Sequence, residues 1–87
     1  MNLEILTPEK KLFSDDVFGV QLPGITGLFE VLSRHAPLVS ALKTGRIKVL
    51  KDKNNHLVFF DIRGGFVEVI NDKVTVLVEG AVPVEGK

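Results

Sequence analysis

The 87-residue chain contains no cysteine. It therefore has no disulfide framework, no thiolate nucleophile and no sulfur-ligated metal, and its fold rests on packing alone. It also lacks an excess of either charge: 11 Lys and Arg balance 11 Asp and Glu. Phosphate binding needs a basic surplus that displaces counterions, so this balance argues against a nucleic-acid binder. Long apolar runs are missing too. Nothing approaches the about 18 consecutive apolar residues of a membrane helix, and the opening MNLEILTPEKK has no uninterrupted signal-peptide core. Composition alone thus points to cytoplasmic residence. With two histidines, His35 and His56, the chain offers no His-Glu-x-x-His or facial-triad spacing for a metal.

What remains is a 45% hydrophobic, 25% charged chain, enough to form one small domain. A domain of this size buries only about 60 to 65% of its unfolded surface. Apolar residues recur at spacing two, the strand period, and helical spacing is not sustained. In GRIKVLK, Ile47 and Val49 face one way and Arg46 and Lys48 the other. In NDKVTVLVEG, Val74, Val76 and Val78 alternate with Thr75, Leu77 and Glu79. HLVFFDIRGGFVEVI carries Val58, Phe60 and Ile62 on one face, breaks at Gly64-Gly65, and resumes to Ile70.

Lys51 to His56 and Asn71 to Lys73 hold turn residues and read as hairpin connections, giving a meander of strands near 46–51, 56–63, 65–70 and 73–79. Upstream, Leu3 to Leu6, Val17 to Leu22 and Gly27 to Leu32 read as short strands, the first two ended by Thr7-Pro8 and Pro23-Gly24. The pattern predicts an all-β sandwich of about eight to ten short strands. Its expected core includes Phe13, Phe18, Phe29, Leu38, Leu42, Phe60, Val74 and Val76. Residues 83–87 of the tail VPVEGK carry no core pattern and read as a loose end to a domain at 1–82.

Catalytic patterns are hard to find. Ser14, Ser33 and Ser40 lie in no nucleophile elbow. Asp15-Asp16 reads as a solvated turn, because neighbours on a strand face opposite ways. Gly24-Ile25-Thr26-Gly27 matches the backbone-clamping Gly-x-x-Gly of KH domains, but strand-like segments flank it rather than helices. Lys73, between Asp72 and Val74, is similar to the modified lysine of lipoyl carrier domains, which leaves a small all-β carrier as the rival reading.

Three stretches in order, LEILTPEKKLFSDDVFGVQLPG, GLFEVLSRHAPLVSALKTGRIKV and IRGGFVEVINDKVTVLVEGA, resemble the N-terminal domain of the epsilon subunit of F-type ATP synthases, called delta in mitochondria. The resemblance implies a flattened β-sandwich of two antiparallel sheets, with no active site and no cofactor. It implies a place at the foot of the rotary stalk, between the gamma subunit and the membrane-embedded c-ring, peripheral to the cytoplasmic face of a bacterial membrane. In that role the domain helps couple proton or sodium transport to ATP synthesis. By positional match, His35, Ala36, Pro37, Ser40 and Thr7 are the candidate gamma-subunit contacts. Gly27, Leu28, Phe29 and Glu30 are the candidate c-ring contacts, Phe29 being equally a core candidate. The family's C-terminal helical hairpin would begin just after residue 82, where this chain has only PVEGK, so hairpin-type inhibition is not expected of it. His35 is read as a partner contact or as the residue that fixes the turn before Pro37, rather than as an acid or base.

Overall fold

A computed structural model describes residues 1–54 and 56–84. Eight strands run β1 Asn2–Leu6, β2 Lys11–Asp16, β3 Gly19–Gly24, β4 Gly27–Leu32, β5 Leu38–Leu50, β6 Leu57–Ile70, β7 Lys73–Val78 and β8 Ala81–Val84. Hydrogen bonding links them in the order β2-β1-β7-β6-β5-β3-β4, with β8 beside β6. The all-β expectation holds.

The two layers come from one folded sheet. β5 and β6 pair along nearly their whole length, from Leu38↔Val69 to Leu50↔Leu57. Part-way along, their inward-facing parity changes. Leu42 is buried on β5, and so are Ile47 and Val49; on β6 the buried set passes from Phe60 and Ile62 to Val67 and Val69. A strict two-residue period would keep one parity, so each strand turns over at its middle and serves both layers. The crease lies at Lys43 to Gly45 and at Gly64-Gly65, whose φ values are 99° and 153°. A Cβ on Gly65 would collide with the carbonyl oxygen of Leu77, so only glycine permits this approach.

One layer is then β2-β1-β7 with the second half of β6 and the first half of β5. The other is β8, the first half of β6, the second half of β5, β3 and β4. The rings of Phe13 on β2 and Phe60 on β6 meet edge to face, 5.7 Å apart. These strands are not sheet neighbours, so the contact crosses between layers. The interior is aliphatic: Leu3, Ile5, Val74 and Val76 from one layer face Val20, Leu22, Val31 and Ile47 from the other. No charged or polar residue is buried among those described.

Several expectations are corrected. The sheets are not wholly antiparallel, because β1 pairs β7 in parallel, Leu3↔Val74 to Leu6↔Leu77. The strands are not all short: β5 has 13 residues and β6 has 14, so the glycine pair bends one strand instead of separating two. Asp15 and Asp16 end β2 rather than forming a turn. Pro23 and Gly24 lie within β3, and Pro83 and Val84 within β8, so the predicted tail continues in strand as far as 84. Residues 85–87 lie outside those described.

Of the predicted core, Leu42, Phe60, Val74 and Val76 are buried, and Phe13, Phe29 and Leu38 pack against the core half-buried. Phe18 is 41% exposed. It sits where the chain crosses from β2 to β3, its N–H donating to the Leu50 carbonyl at 2.9 Å while Val17 takes the buried place.

Candidate interaction surface

Because the inner faces make the core, function is left to the two outer faces and the loops between them. On the β2-β1-β7-β6-β5 layer, the register places Ala41, Phe66, Leu77 and Leu6 side by side across four strands. Phe66 is 58% exposed and Leu77 51%. Thr7, Pro8 and Glu79 join Leu6, Phe66 and Leu77 around a depression of about 290 Å³. The next row runs Val39, Glu68, Thr75, Glu4 and Ser14. Glu4 is bracketed by Lys11 at 3.3 Å and Lys73 at 3.7 Å. The hydrogen bond from Lys11, assisted by the charges of Lys11 and Lys73, holds its carboxyl below the usual range. Lys73 is therefore the first residue of β7, beside Glu4, and not the apex of a turn as a carrier lysine would be.

The predicted gamma-contact residues border this face instead of clustering. Thr7 closes the β1–β2 turn, its backbone N–H donating to the Lys10 carbonyl at 2.9 Å and its hydroxyl accepting from the Lys10 N–H at 3.2 Å. His35, Ala36 and Pro37 form the loop into β5 at the far end. There the Nδ1–H of His35, in the tautomer this geometry selects, donates to the Ala36 carbonyl at 2.7 Å. That leaves Nε2 for a partner. Ser40 is half-buried on β5, its hydroxyl donating to the Ala41 carbonyl at 3.3 Å.

The predicted c-ring residues lie on β4, the terminal strand of the path. Gly24↔Gly27 closes the β3–β4 hairpin around Ile25 and Thr26, so the Gly-x-x-Gly motif is a hairpin tip. Alternation then divides the set: Leu28, 65% exposed, and Glu30 point outward, whereas Phe29 packs on the core. One depression of about 290 Å³ brings Gly27, Leu28 and Phe29 together with Leu38 and Ser40, joining one gamma candidate to three c-ring candidates.

The sequence reading missed Phe66, Val39 and Leu77 as surface residues. The available signal was Leu77, the apolar member of the mixed face of its strand.

The opposite layer is different in character. On its outer face Arg46 donates to Asp61 through Nε at 2.7 Å and through Nη2 at 3.2 Å, with its guanidinium 5.9 Å from the Phe59 ring centre. That fork holds the Asp61 carboxyl below its usual range and raises Arg46. Lys48 lies alongside, opposite Phe59. Among the described residues, no group of three or more His, Asp or Glu converges as a metal site would require. His56 pairs with Asp52 alone, Nδ1 to Oδ2 at 2.6 Å, on an exposed hairpin.

The profile of the beta-sandwich domain of the ATP synthase delta/epsilon chain matches residues 1–84. The chain belongs to that family. It is 45% identical over 86 residues to the ATP synthase epsilon chain of Campylobacter curvus, which covers 99% of this chain and 66% of that one. It is also 45% identical over 78 residues to the epsilon chain of Chlorobium limicola, covering 88% and 86%. The chain thus spans just under two thirds of the first relative's length and most of the second's. A similar fold is seen in a chain of the Euglena gracilis mitochondrial ATP synthase structure of OSCP, F1 and c-ring. There the TM-score is 0.86 at 23% identity, over 93% of this chain and 51% of that one. A chain from the Tetrahymena thermophila mitochondrial central stalk and c-ring gives 0.78 at 18%, over 93% and 64%. At those identities the likeness is one of fold.

Proposed function

We propose that this delta/epsilon-family chain acts as a non-catalytic central-stalk subunit of an F-type ATP synthase. It links the gamma subunit to the c-ring and so couples proton or sodium transport to ATP synthesis, without a cofactor. The observation that carries the reading is the row Ala41, Phe66, Leu77 and Leu6, an apolar strip unbroken by charge across four strands. Soluble monomers seldom leave such a strip uncovered. The gamma subunit docks there, with Thr7 at one end and the His35-Ala36-Pro37 loop at the other. Pro37 keeps that loop rigid, which lowers the ordering cost of association. Leu28 and Glu30, projecting from the terminal strand β4, face the c-ring. Through the complex, the chain is held at the cytoplasmic face of a bacterial membrane.

The test is co-expression with the cognate gamma subunit. The unaltered chain and Arg46→Gln should co-purify with gamma, and Phe66→Glu should not. Retention of Phe66→Glu at unaltered yield would refute this placement of gamma.

A further inference from the structure

The formal net charge of zero conceals a segregation of charge. Lys43, Arg46, Lys48 and Arg63 gather on the outer face of the β8-β6-β5-β3-β4 layer and its crease. Against them stand Asp61, already committed to Arg46, and Glu30 on the far strand. At the crease this face opens into a trough of about 790 Å³ lined by Thr44, Gly45, Arg46, Asp61, Arg63, Ala81 and Val82. Arg63 reaches over Gly80, where a Cβ would lie 3.4 Å from its Nη2. Among the described residues its guanidinium has no carboxylate or hydrogen-bond partner, whereas Arg46 is oriented by its fork with Asp61. Val82, 64% exposed, supplies an apolar wall.

We infer that this trough is a second docking site, separate from the Phe66–Leu77 face, and that it receives an acidic, apolar-flanked polypeptide segment of another protein. Three features select that occupant. The Arg63 guanidinium, unpaired among the described residues, can hold a carboxylate with two N–H groups. The aliphatic lining of Ile62, Ala81 and Val82 demands apolar neighbours on either side of that carboxylate. The volume far exceeds what one small anion fills, and Asp61, on the wall but paired with Arg46, opposes a multiply charged ligand such as phosphate more than a single carboxylate.

The experiment uses the 87-residue chain, uniformly labelled with ¹⁵N. It is titrated with a short capped peptide of leucine and glutamate, with its leucine and lysine counterpart, and with sodium phosphate. The inference expects amide shifts confined to Thr44, Gly45, Arg63 and Ala81 with the glutamate peptide alone. It also expects affinity to fall about tenfold or more in Arg63→Glu and to be unchanged in Phe66→Glu. Arg63 is exposed, so its replacement leaves the fold intact, as an unperturbed spectrum would confirm. No binding, an equal response to the lysine peptide, or an effect of Phe66→Glu in place of Arg63→Glu would overturn it. Shifts of the same residues with phosphate at comparable affinity would overturn it in favour of a simple anion site. Because gamma binding is read on the opposite face, failure here leaves the gamma test unaffected.

Discussion

The backbone N–H of Arg34 donates to Oδ1 of Asp72 at 3.1 Å, joining the loop before β5 to the β6–β7 turn across 38 residues of sequence. Asp72 and its neighbour Asn71 both have positive φ, 63° and 51°, as a two-residue type I′ hairpin requires. Arg34 has φ 66° as well, so the carboxylate secures a strained residue immediately before His35.

Replacing Asp72 separates the turn from the tether. Asp72→Gly suits the positive φ but removes the acceptor; Asp72→Asn keeps both. We expect Asp72→Gly to lose about 1 kcal/mol and to speed hydrogen exchange at the Arg34 amide; Asp72→Asn, which gives up only the ion pair of Oδ2 with the Met1 ammonium at 3.7 Å, should keep that amide protected. Equal protection of that amide in Asp72→Gly would show the tether to be idle.

Gly65→Ala should be among the most damaging single changes. The added methyl meets the Leu77 carbonyl in a backbone region that side chains avoid, at a cost of about 3 kcal/mol or more. Gly27→Ala, with φ 138° but open space around its Cβ, should cost about 1 kcal/mol. Thermal unfolding of both variants ranks them directly.

Phe66→Ser and Leu77→Ser should change stability by no more than about 0.5 kcal/mol, since both side chains are largely exposed. A large loss would mean that these residues serve the fold rather than an interface. Chemical denaturation distinguishes the two cases.

The Asp61 carboxyl, held down by the Arg46 fork, is lower in the folded state than in the unfolded chain. Its contribution is therefore complete above the ordinary carboxylate range and is lost as pH falls through the folded value, below about pH 4. Both groups are exposed, so the effect is small and weakens with salt. A ¹³C titration should show the Asp61 midpoint rising in Arg46→Gln. Asp52, lowered by His56 and then by the Asn54 amide, should follow the same sign.

Phe13→Leu and Phe60→Leu, combined in a double-mutant cycle, should show a coupling of about 0.5 to 1.5 kcal/mol. A coupling near zero would remove the ring contact from the forces joining the layers.

Alternation made β4 and β7 legible, and the Asn71-Asp72 turn was plain from composition. β2 was not, because KLFSDD is a terminal strand with both faces largely open, and nothing buried enforces a period on it. The layer change within β5 and β6 was hidden as well. A glycine pair reads as a break, and only the partner strand shows that pairing continues through it. For the surface, the family resemblance named Thr7 and the His35-Ala36-Pro37 loop, which border the apolar face. Its centre was not legible: an outward Phe66 looks like core until the register sets it between Ala41 and Leu77.

The crease shared by β5 and β6 has a mechanical consequence. In a sandwich of two separate plates, a sideways load is resisted only by side chains sliding over one another. Here both plates hang from the same two strands, so shear between them is borne by the covalent backbone and by a ladder that must rupture before the plates can slip. A small domain gains stiffness from that continuity without needing a larger interior.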